Sequence, residues 1–378
     1  MKVIVSDAES RKGFDIINLV QRLYGFPVVL GAGRDFGWKL KLIYNKEVYP
    51  LRSGTFELFE KDLSFIIESH PETDLVYLPV SEKATRHFYA FIEKHPESRL
   101  KYLLPQSDAF ECTGDKYRFQ AFCQNANLPV PLSFEKESIP GITGDFRPLI
   151  VKPRKGEGSV GIIYIDTQEQ LSRLEILDFS KYVIQEKIHD GHKVEGAFFL
   201  CKAGKVINAY SHKRIRTFPE IGGVTVFSVC DYNKEIIDIG KHLLACLNWD
   251  GVAMIEFLLD KPTGKWKMIE LNPRLWGSVL LSGYNQSEII RNYIQLSLGK
   301  APVKSTLRIG TYIQWLFPFE ILNFLKGKLT FSELFNQKGL PICHINFTYS
   351  NIWRTFSYII YFLFNTSSIK RFIMKLRS

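Results

Sequence analysis

The chain has 378 residues, a hydrophobic fraction of 46%, a charged fraction of 23% and a net charge of +10, which provides for two or three globular domains and excludes a disordered or fibrous protein. No apolar run is long enough to span a bilayer. Ser6, Asp7 and Glu9 interrupt the N-terminal apolar run too early for a secretory leader, and six scattered cysteines without a C-x-x-C pair argue against a zinc site or a disulfide framework, so a cytoplasmic location is expected. The basic balance suits phosphorylated ligands or anionic lipid; no nucleic-acid motif accompanies it, and no nucleic-acid partner is expected.

Residues 1–112 read as an α/β unit. Val3-Ile4-Val5 is a short strand, residues 14–24 place Ile16, Leu19, Val20 and Leu23 on one helical face, 26–30 and 74–78 are further strands, and 82–94 is a helix. Strands alternating with helices imply a parallel sheet. Gly31-Ala32-Gly33 lacks the third glycine and the helix start of a dinucleotide fingerprint, and a plain turn accounts for it better. Thr113 is expected to cap a helix that begins near Asp115-Lys116 and ends before Asn127. Lys116 in its first turn opposes the helix dipole, which leaves solvent exposure or contact with a phosphate as the reason for its place.

The next stretch carries a glycine-rich loop. A strand over 149–151 leads into Lys152, and Gly156-x-Gly158-x-x-Gly161 follows, with Lys155 and Ser159 inside it. A dinucleotide fingerprint must open a helix. This one opens the apolar strand 162–165, so it is the tip of a hairpin, either merely flexible or able to bring backbone N–H groups to anionic oxygens, with Lys152 as a point charge for the same phosphates. Residues 182–188, Tyr-Val-Ile-Gln-Glu-Lys-Ile, are a strand whose exit at Gln185-Glu186 could offer hydrogen bonds to a base edge. A hairpin over 196–200 and 206–210 runs into His212, Lys213, Arg214 and Arg216, four potentially cationic side chains before a glycine loop. They are either a solvated basic face or an anion site.

After a helix over 235–247 comes a further hairpin. Two apolar runs, 252–259 and 266–271, flank the turn Lys261-Pro262-Thr263-Gly264. Each run contains one carboxylate, Glu256 and Glu270. Asn272 follows Glu270 by two residues and so faces the same way. Two carboxylates and an amide oxygen are hard ligands suited to Mg²⁺ on a nucleotide's phosphates; the alternative is two glutamates on a solvated face. A helix over 289–298 ends at Gly299.

These motifs, in this order and spacing over about 113–300, resemble the ATP-grasp superfamily. The resemblance rests on Asp115-Lys116, Val151-Lys152-Pro153 with the glycine loop, Gln185-Glu186-Lys187-Ile188, and the run 268–274, Met-Ile-Glu-Leu-Asn-Pro-Arg. The segments 211–216, 251–257 and 274–278 resemble the carbamoyl-phosphate-synthase-like group, whose members often lie in bacterial surface-polysaccharide loci. The fold implied is α/β: a Rossmann-like pre-ATP-grasp domain (1–112), an ATP-grasp domain (113–300) of two α+β subdomains, about 113–184 and 185–300, with ATP between them, and a C-terminal basic and aromatic extension (301–378).

The implied activity is ligation of a small-molecule carboxylate to an amine through an acyl phosphate, with release of ADP. The implied cofactors are ATP and Mg²⁺, two ions, with Mn²⁺ as a substitute. Lys116, Lys152 and the loop Gly156, Gly158, Ser159 and Gly161 would hold phosphates, and Gln185, Glu186 and Ile188 the adenine. Glu195 is the nearest candidate for the ribose, at a spacing that departs from the family pattern. Glu256, Glu270 and Asn272 would ligate metal, and Arg274 with Lys213, Arg214 or Arg216 would steady the transferring phosphate. The competing readings are a catalytically silent nucleotide-binding scaffold or sensor, and a carbamoyl-phosphate- or carboxylase-like enzyme needing partner subunits. In the extension, 370–377 reads as an amphipathic basic helix that would lie on an anionic membrane or pack on the body or on a second subunit of a homodimer.

Overall fold

The structure, a computed structural model, describes residues 1–33, 37–44, 46–139, 144–156, 161–188, 194–220, 223–335, 340, 342–344, 356 and 359. The expected basic helix at 370–377 lies outside them, as do Gly158 and Ser159.

The N-terminal unit is a five-stranded parallel sheet: β1 (Lys2–Val5), β2 (Val28–Ala32), β3 (Val48–Pro50), β4 (Leu75–Leu78) and β5 (Leu100–Lys101), in the order β3-β2-β1-β4-β5. Helices α1 (Arg11–Asn18), α2 (Gly37–Tyr44), α3 (Phe56–Glu68) and α4 (Glu82–Lys94) connect the strands, the arrangement that alternating strand and helix patterns predict. Gly31 and Ala32 continue β2 rather than turning, and a Cβ on Gly31 would meet the Leu51 side chain at 2.8 Å. This glycine serves close packing.

Two antiparallel sheets follow. The smaller contains β6 (Ser133–Phe134), β7 (Leu149–Pro153), β8 (Ile163–Ile165) and β9 (Tyr182–Glu186), in the order β6-β9-β7-β8. The larger contains β10 (Val194–Lys202), β11 (Lys205–Phe218), β12 (Val224–Asp231), β13 (Gly251–Asp260), β14 (Lys265–Asn272), β15 (Tyr312–Gln314) and β16 (Ile342–His344), in the order β14-β13-β10-β11-β12-β15-β16. Helices α5 (Ser107–Gly114), α6 (Lys116–Asn125) and α7 (Lys234–Cys246) cover one face of the larger sheet around Phe119, Phe199, Leu243 and Trp249.

The other face of that sheet shares a single core with the N-terminal unit: Phe198, Tyr210, Trp276 and Trp315 pack in one cluster with Val3, Val5, Ile16 and Leu30. One polar group is trapped there. Asp15 on α1 is fully buried and its Oδ2 accepts from Trp315 Nε1 at 3.0 Å. Burial pushes its carboxyl up to about 7, against the opposing pull of Arg11 and the Trp315 hydrogen bond. A folded-state value above the unfolded one means that stability is lost as pH rises, here between about 4 and 7. Asp15→Asn keeps the acceptor for Trp315, so it should raise the melting temperature at pH 8, by the equivalent of up to about 4 kcal/mol, and leave it unchanged at pH 4. Thermal melts at the two pH values check this.

No helix among the described residues is long and apolar enough to cross a membrane.

Candidate functional site

The site lies where the smaller sheet meets the inner face of the larger one. Its first component is the start of α6. Asp115, not Thr113 as the sequence suggests, is the N-cap: Oδ1 accepts from the amides of Tyr117 and Arg118 at 3.0 and 3.4 Å. Thr113 lies inside α5 and turns its hydroxyl back to the carbonyls of Ala109 and Phe110. Asp115 also takes a bidentate pair from Arg154, Nε at 3.1 Å and Nη2 at 2.8 Å. Burial alone would raise the Asp115 carboxyl, but the Arg154 hydrogen bonds and the two amides outweigh it and hold the group below its ordinary value. The Lys116 amide donates to Arg154 O at 2.9 Å. The helix start is thereby fixed to the end of β7, and Lys116 Nζ reaches the carbonyl of Gly156 at 3.0 Å, across the mouth of the glycine loop. That contact explains a cation in the first turn. Gly156 and Gly161 adopt φ of +131° and +76°, where a side chain is strained.

Lys152, on β7, is buried. Desolvation pushes its ammonium down to about 8, with Lys116 acting in the same direction and Glu270 and Glu256 in the opposite one. The two carboxylates belong to the larger sheet, where directly opposite residues share a face. Glu270 on β14 opposes Glu256 on β13, Glu256 opposes Gly196 on β10, and Gly196 opposes His212 on β11. The hairpin that the sequence predicts is thus present, and its carboxylates face each other. Asn272 Nδ2 donates to Glu270 Oε1 at 3.0 Å, and Asn272 Oδ1 accepts from Arg274 Nη2 at 2.8 Å. Arg274 Nε lies 3.5 Å from Glu82 Oε1, at the start of α4. Arg214 Nη2 forms a short ion pair with Glu256 Oε1. Burial raises the Glu256 carboxyl; Arg214 opposes this and Glu270 adds to it.

Two β-bulges redirect side chains that strict alternation would misplace. On β14, Glu256 opposes Glu270 but Phe257 opposes Met268, so Ile269 is extra. Lys267 consequently shares the face of Glu270 and reaches Glu186 Oε1 at 2.5 Å and Asp260 Oδ2 at 3.8 Å. Glu186 Oε1 also accepts from the Leu132 amide at 2.8 Å. Lys267 is a site residue that sequence reasoning missed, because period-two counting puts it on the far face.

On β11, Arg214 opposes Ser228 but Arg216 opposes Phe227, so Ile215 is extra. Arg216 turns over the Phe227 ring, 4.5 Å from its centroid, and pairs with the buried Glu320 at 2.9 Å. It does not join Arg214.

Lys213 and Glu195 oppose each other on the other face of the sheet. Lys213 Nζ pairs with Asp231 Oδ2 at 2.6 Å, and Glu195 Oε2 accepts from Asn233 Nδ2 at 3.2 Å. The structure therefore brings together Lys116, Lys152, Gly156, Glu186, Arg214, Glu256, Glu270, Asn272 and Arg274, and leaves Lys213, Arg216 and Glu195 apart from them. Gln185 turns inward, and its Nε2 donates to Gln120 Oε1. Ile188 is buried next to that strand. Among the described residues no group of three His, Cys, Asp or Glu side chains converges as a metal site; the candidate set is two carboxylates and one amide.

The family model for the ATP-grasp domain matches residues 113–278. Residues 113–278 belong to the ATP-grasp superfamily. Solved structures agree on the fold. The biotin carboxylase β,γ-ATP complex of Campylobacter jejuni superimposes with a TM-score of 0.61 at 15% identity, covering 82% of this chain and 74% of that one. The biotin carboxylase domain dimer of the Hydrogenobacter thermophilus 2-oxoglutarate carboxylase, in complex with MgADP, ADP and bicarbonate, gives 0.61 at 15%, covering 82% and 73%. The N5-carboxyaminoimidazole ribonucleotide synthetase of Thermus thermophilus gives 0.58 at 18%, covering 82% and 81%. No curated protein sequence matches the chain. The ATP-grasp match includes every residue gathered at the site except Glu82, which the N-terminal unit supplies.

Proposed function

We propose that this ATP-grasp protein is an ADP-forming ligase that joins a small-molecule carboxylate to an amine, using ATP and Mg²⁺. The observation that carries the reading is the directly opposed pair Glu256 and Glu270, with Lys152 buried beside them. Two facing carboxylates in a desolvated place repel unless cations compensate them. Arg214 compensates one oxygen of Glu256; the remaining oxygens, with the second lone pair of Asn272 Oδ1, fit a hard divalent ion. When bound, Mg²⁺ supplies charge neutralisation for the phosphates.

The chain's own residues do the rest. Lys116 and Lys152 hold the phosphates as point charges. The 186–188 segment, with the Ile188 side chain, receives adenine. Lys267 and the Leu132 amide keep Glu186 in place. Arg274, held by Asn272, the Leu275 carbonyl and Glu82, faces the transferring phosphate together with Arg214. Such transfer is positioning plus charge neutralisation, and these groups are already oriented for it. The carboxylate attacks the γ-phosphorus, ADP leaves, and the acyl phosphate is open to an amine.

Calorimetry with Mg·ATP and a screen of amino acids, uronic acids and bicarbonate for ADP release test this reading; absence of both binding and ADP release overturns it. The protonation of Lys152 gives a further expectation. Its ammonium titrates near 8 in the free protein, and phosphates raise that value. Mg·ATP binding should therefore weaken as pH rises through about 8 and take up a proton there. Titration calorimetry in buffers of different ionisation enthalpy measures that uptake.

A further inference from the structure

Among the buried polar atoms on the site's face without a hydrogen-bond partner are Arg214 Nε and His212 Nε2. His212 is fully buried, and its Nε2 makes no hydrogen bond. The nitrogen lies above Gly196: a Cβ there would come within 3.0 Å of it and within 2.9 Å of the Phe198 ring. Gly196 is the residue directly opposite Glu256, so Nε2 lies above β10, the strand next to the one that carries Glu256. The ring is held edge-on to Phe198 at 4.7 Å, and its Nδ1 lies 3.5 Å from Ser278 Oγ, at the end of the segment that follows Arg274.

The sequence suggests a cationic His212 within a basic run. Burial, with Arg214 adding to it, instead holds the imidazole well below its ordinary value and neutral. In the tautomer whose Nδ1–H donates to Ser278 Oγ, Nε2 is a bare lone pair. The titratable and charged groups sharing this face are Tyr210 and Arg214 on β11, Cys230 on β12, Glu256 and Asp260 on β13, Glu270 and Lys267 on β14 and Arg274 beyond it, with Lys152 facing the two glutamates from β7. Tyr210 and Cys230 are both held protonated by burial, and the two glutamates face the metal and phosphate side. A native protein rarely leaves a buried ring nitrogen unmatched without a use for it.

We propose that His212 is the proton acceptor for the attacking amine, which docks with its N–H on Nε2 over Gly196. The proposal rests on the ligase reading above. The amine lone pair forms the C–N bond at the acyl carbon, the C–O bond to phosphate breaks, and phosphate leaves with that electron pair. The surplus N–H proton passes to Nε2, and the imidazolium beside Arg214 then releases it to the departing phosphate.

The test uses the full chain with Mg·ATP and the acid that releases most ADP in the screen. Hydroxylamine, which attacks acyl phosphates without a base, reports acyl phosphate as hydroxamate; ammonium chloride and a mixture of the amino acids report amide formation. We expect His212→Asn to lower the amide-to-hydroxamate ratio about a hundredfold, and Gly196→Ala, whose methyl would press on Nε2 at 3.0 Å while keeping the ring, to lower it as well. His212→Gln, which keeps an acceptor oxygen but takes up no proton, should stay low. Retained Mg·ATP binding shows that each variant is folded. An unchanged ratio in His212→Asn, or restoration by glutamine, overturns the base role, as does a wild type that makes hydroxamate but no amide. A wild type that releases no ADP with any acid overturns the ligase reading itself, and the two failures are thereby told apart.

Discussion

Glu270→Gln lowers ADP formation at least about a hundredfold while leaving the melting temperature equal to or above that of the parent protein. The two effects have one cause. Glu270 faces Glu256 across the hairpin and raises its carboxyl. Removing one charge relieves that repulsion and keeps a side-chain oxygen near Asn272, which now donates to Glu270 at 3.0 Å. It also removes half of the anionic charge available to a divalent ion and one of the two carboxylates that favour a charged Lys152. Sites assembled for electrostatic stabilisation store repulsion in the free protein, and this is the group of trade-offs in which stability and activity oppose. A coupled ADP assay and a thermal melt on the same preparation check both halves; a variant that loses activity because it is less stable contradicts the account.

The second large effect is Arg214→Met. Arg214 and Glu256 are each about one-sixth exposed, at 16%. Taking away one partner of such a pair leaves the other charge uncompensated, which costs more than the pair contributes. We expect a loss of about 3 kcal/mol in metal-free buffer, seen in denaturant unfolding. Addition of Mg²⁺ should narrow the gap between variant and parent, because a cation bound at Glu256 and Glu270 supplies the missing charge. A gap that Mg²⁺ leaves unchanged indicates that these carboxylates do not hold the ion. Lys213→Met, on the opposite face, where the half-exposed Lys213 pairs with Asp231, provides the comparison, with an expected effect below about 1 kcal/mol.

Much of this was legible in the residues. The hairpin of Glu256 and Glu270 is readable because its two apolar runs and its Pro-Thr-Gly turn follow local rules, and the helices at 82–94 and 234–246 begin and end within a residue of where periodicity places them. The failures are also local in origin. Period-two counting groups Arg214 with Arg216 and separates Lys267 from Glu270, and each bulge reverses that result with one unpaired residue, Ile215 or Ile269. Lys213 and Glu195 share a cross-strand pair on the wrong face, which the spacing of charges along one strand could not reveal without the register. Arg154 was hidden in a basic stretch, and only the fold shows that it fastens Asp115. Glu82 could not be found at all: a glutamate in the first turn of a helix is explained by the helix dipole, and its second role depends on contact with a segment almost two hundred residues away.

The shared core bears on how this protein can be divided. The ATP-grasp segment is continuous in sequence, which invites treating it as a transferable module. The apolar part of its inner sheet face, however, has no solvent side: Phe198, Tyr210 and Trp276 share one buried cluster with Val3, Ile16 and Leu30 of the N-terminal unit and with Trp315. Both flanks also reach its polar groups, through Glu82 to Arg274 and through Glu320 to Arg216. Exchange of this segment therefore has to preserve two buried seams as well as the charged residues gathered at the candidate site, and the unit that can be moved is the three-part body.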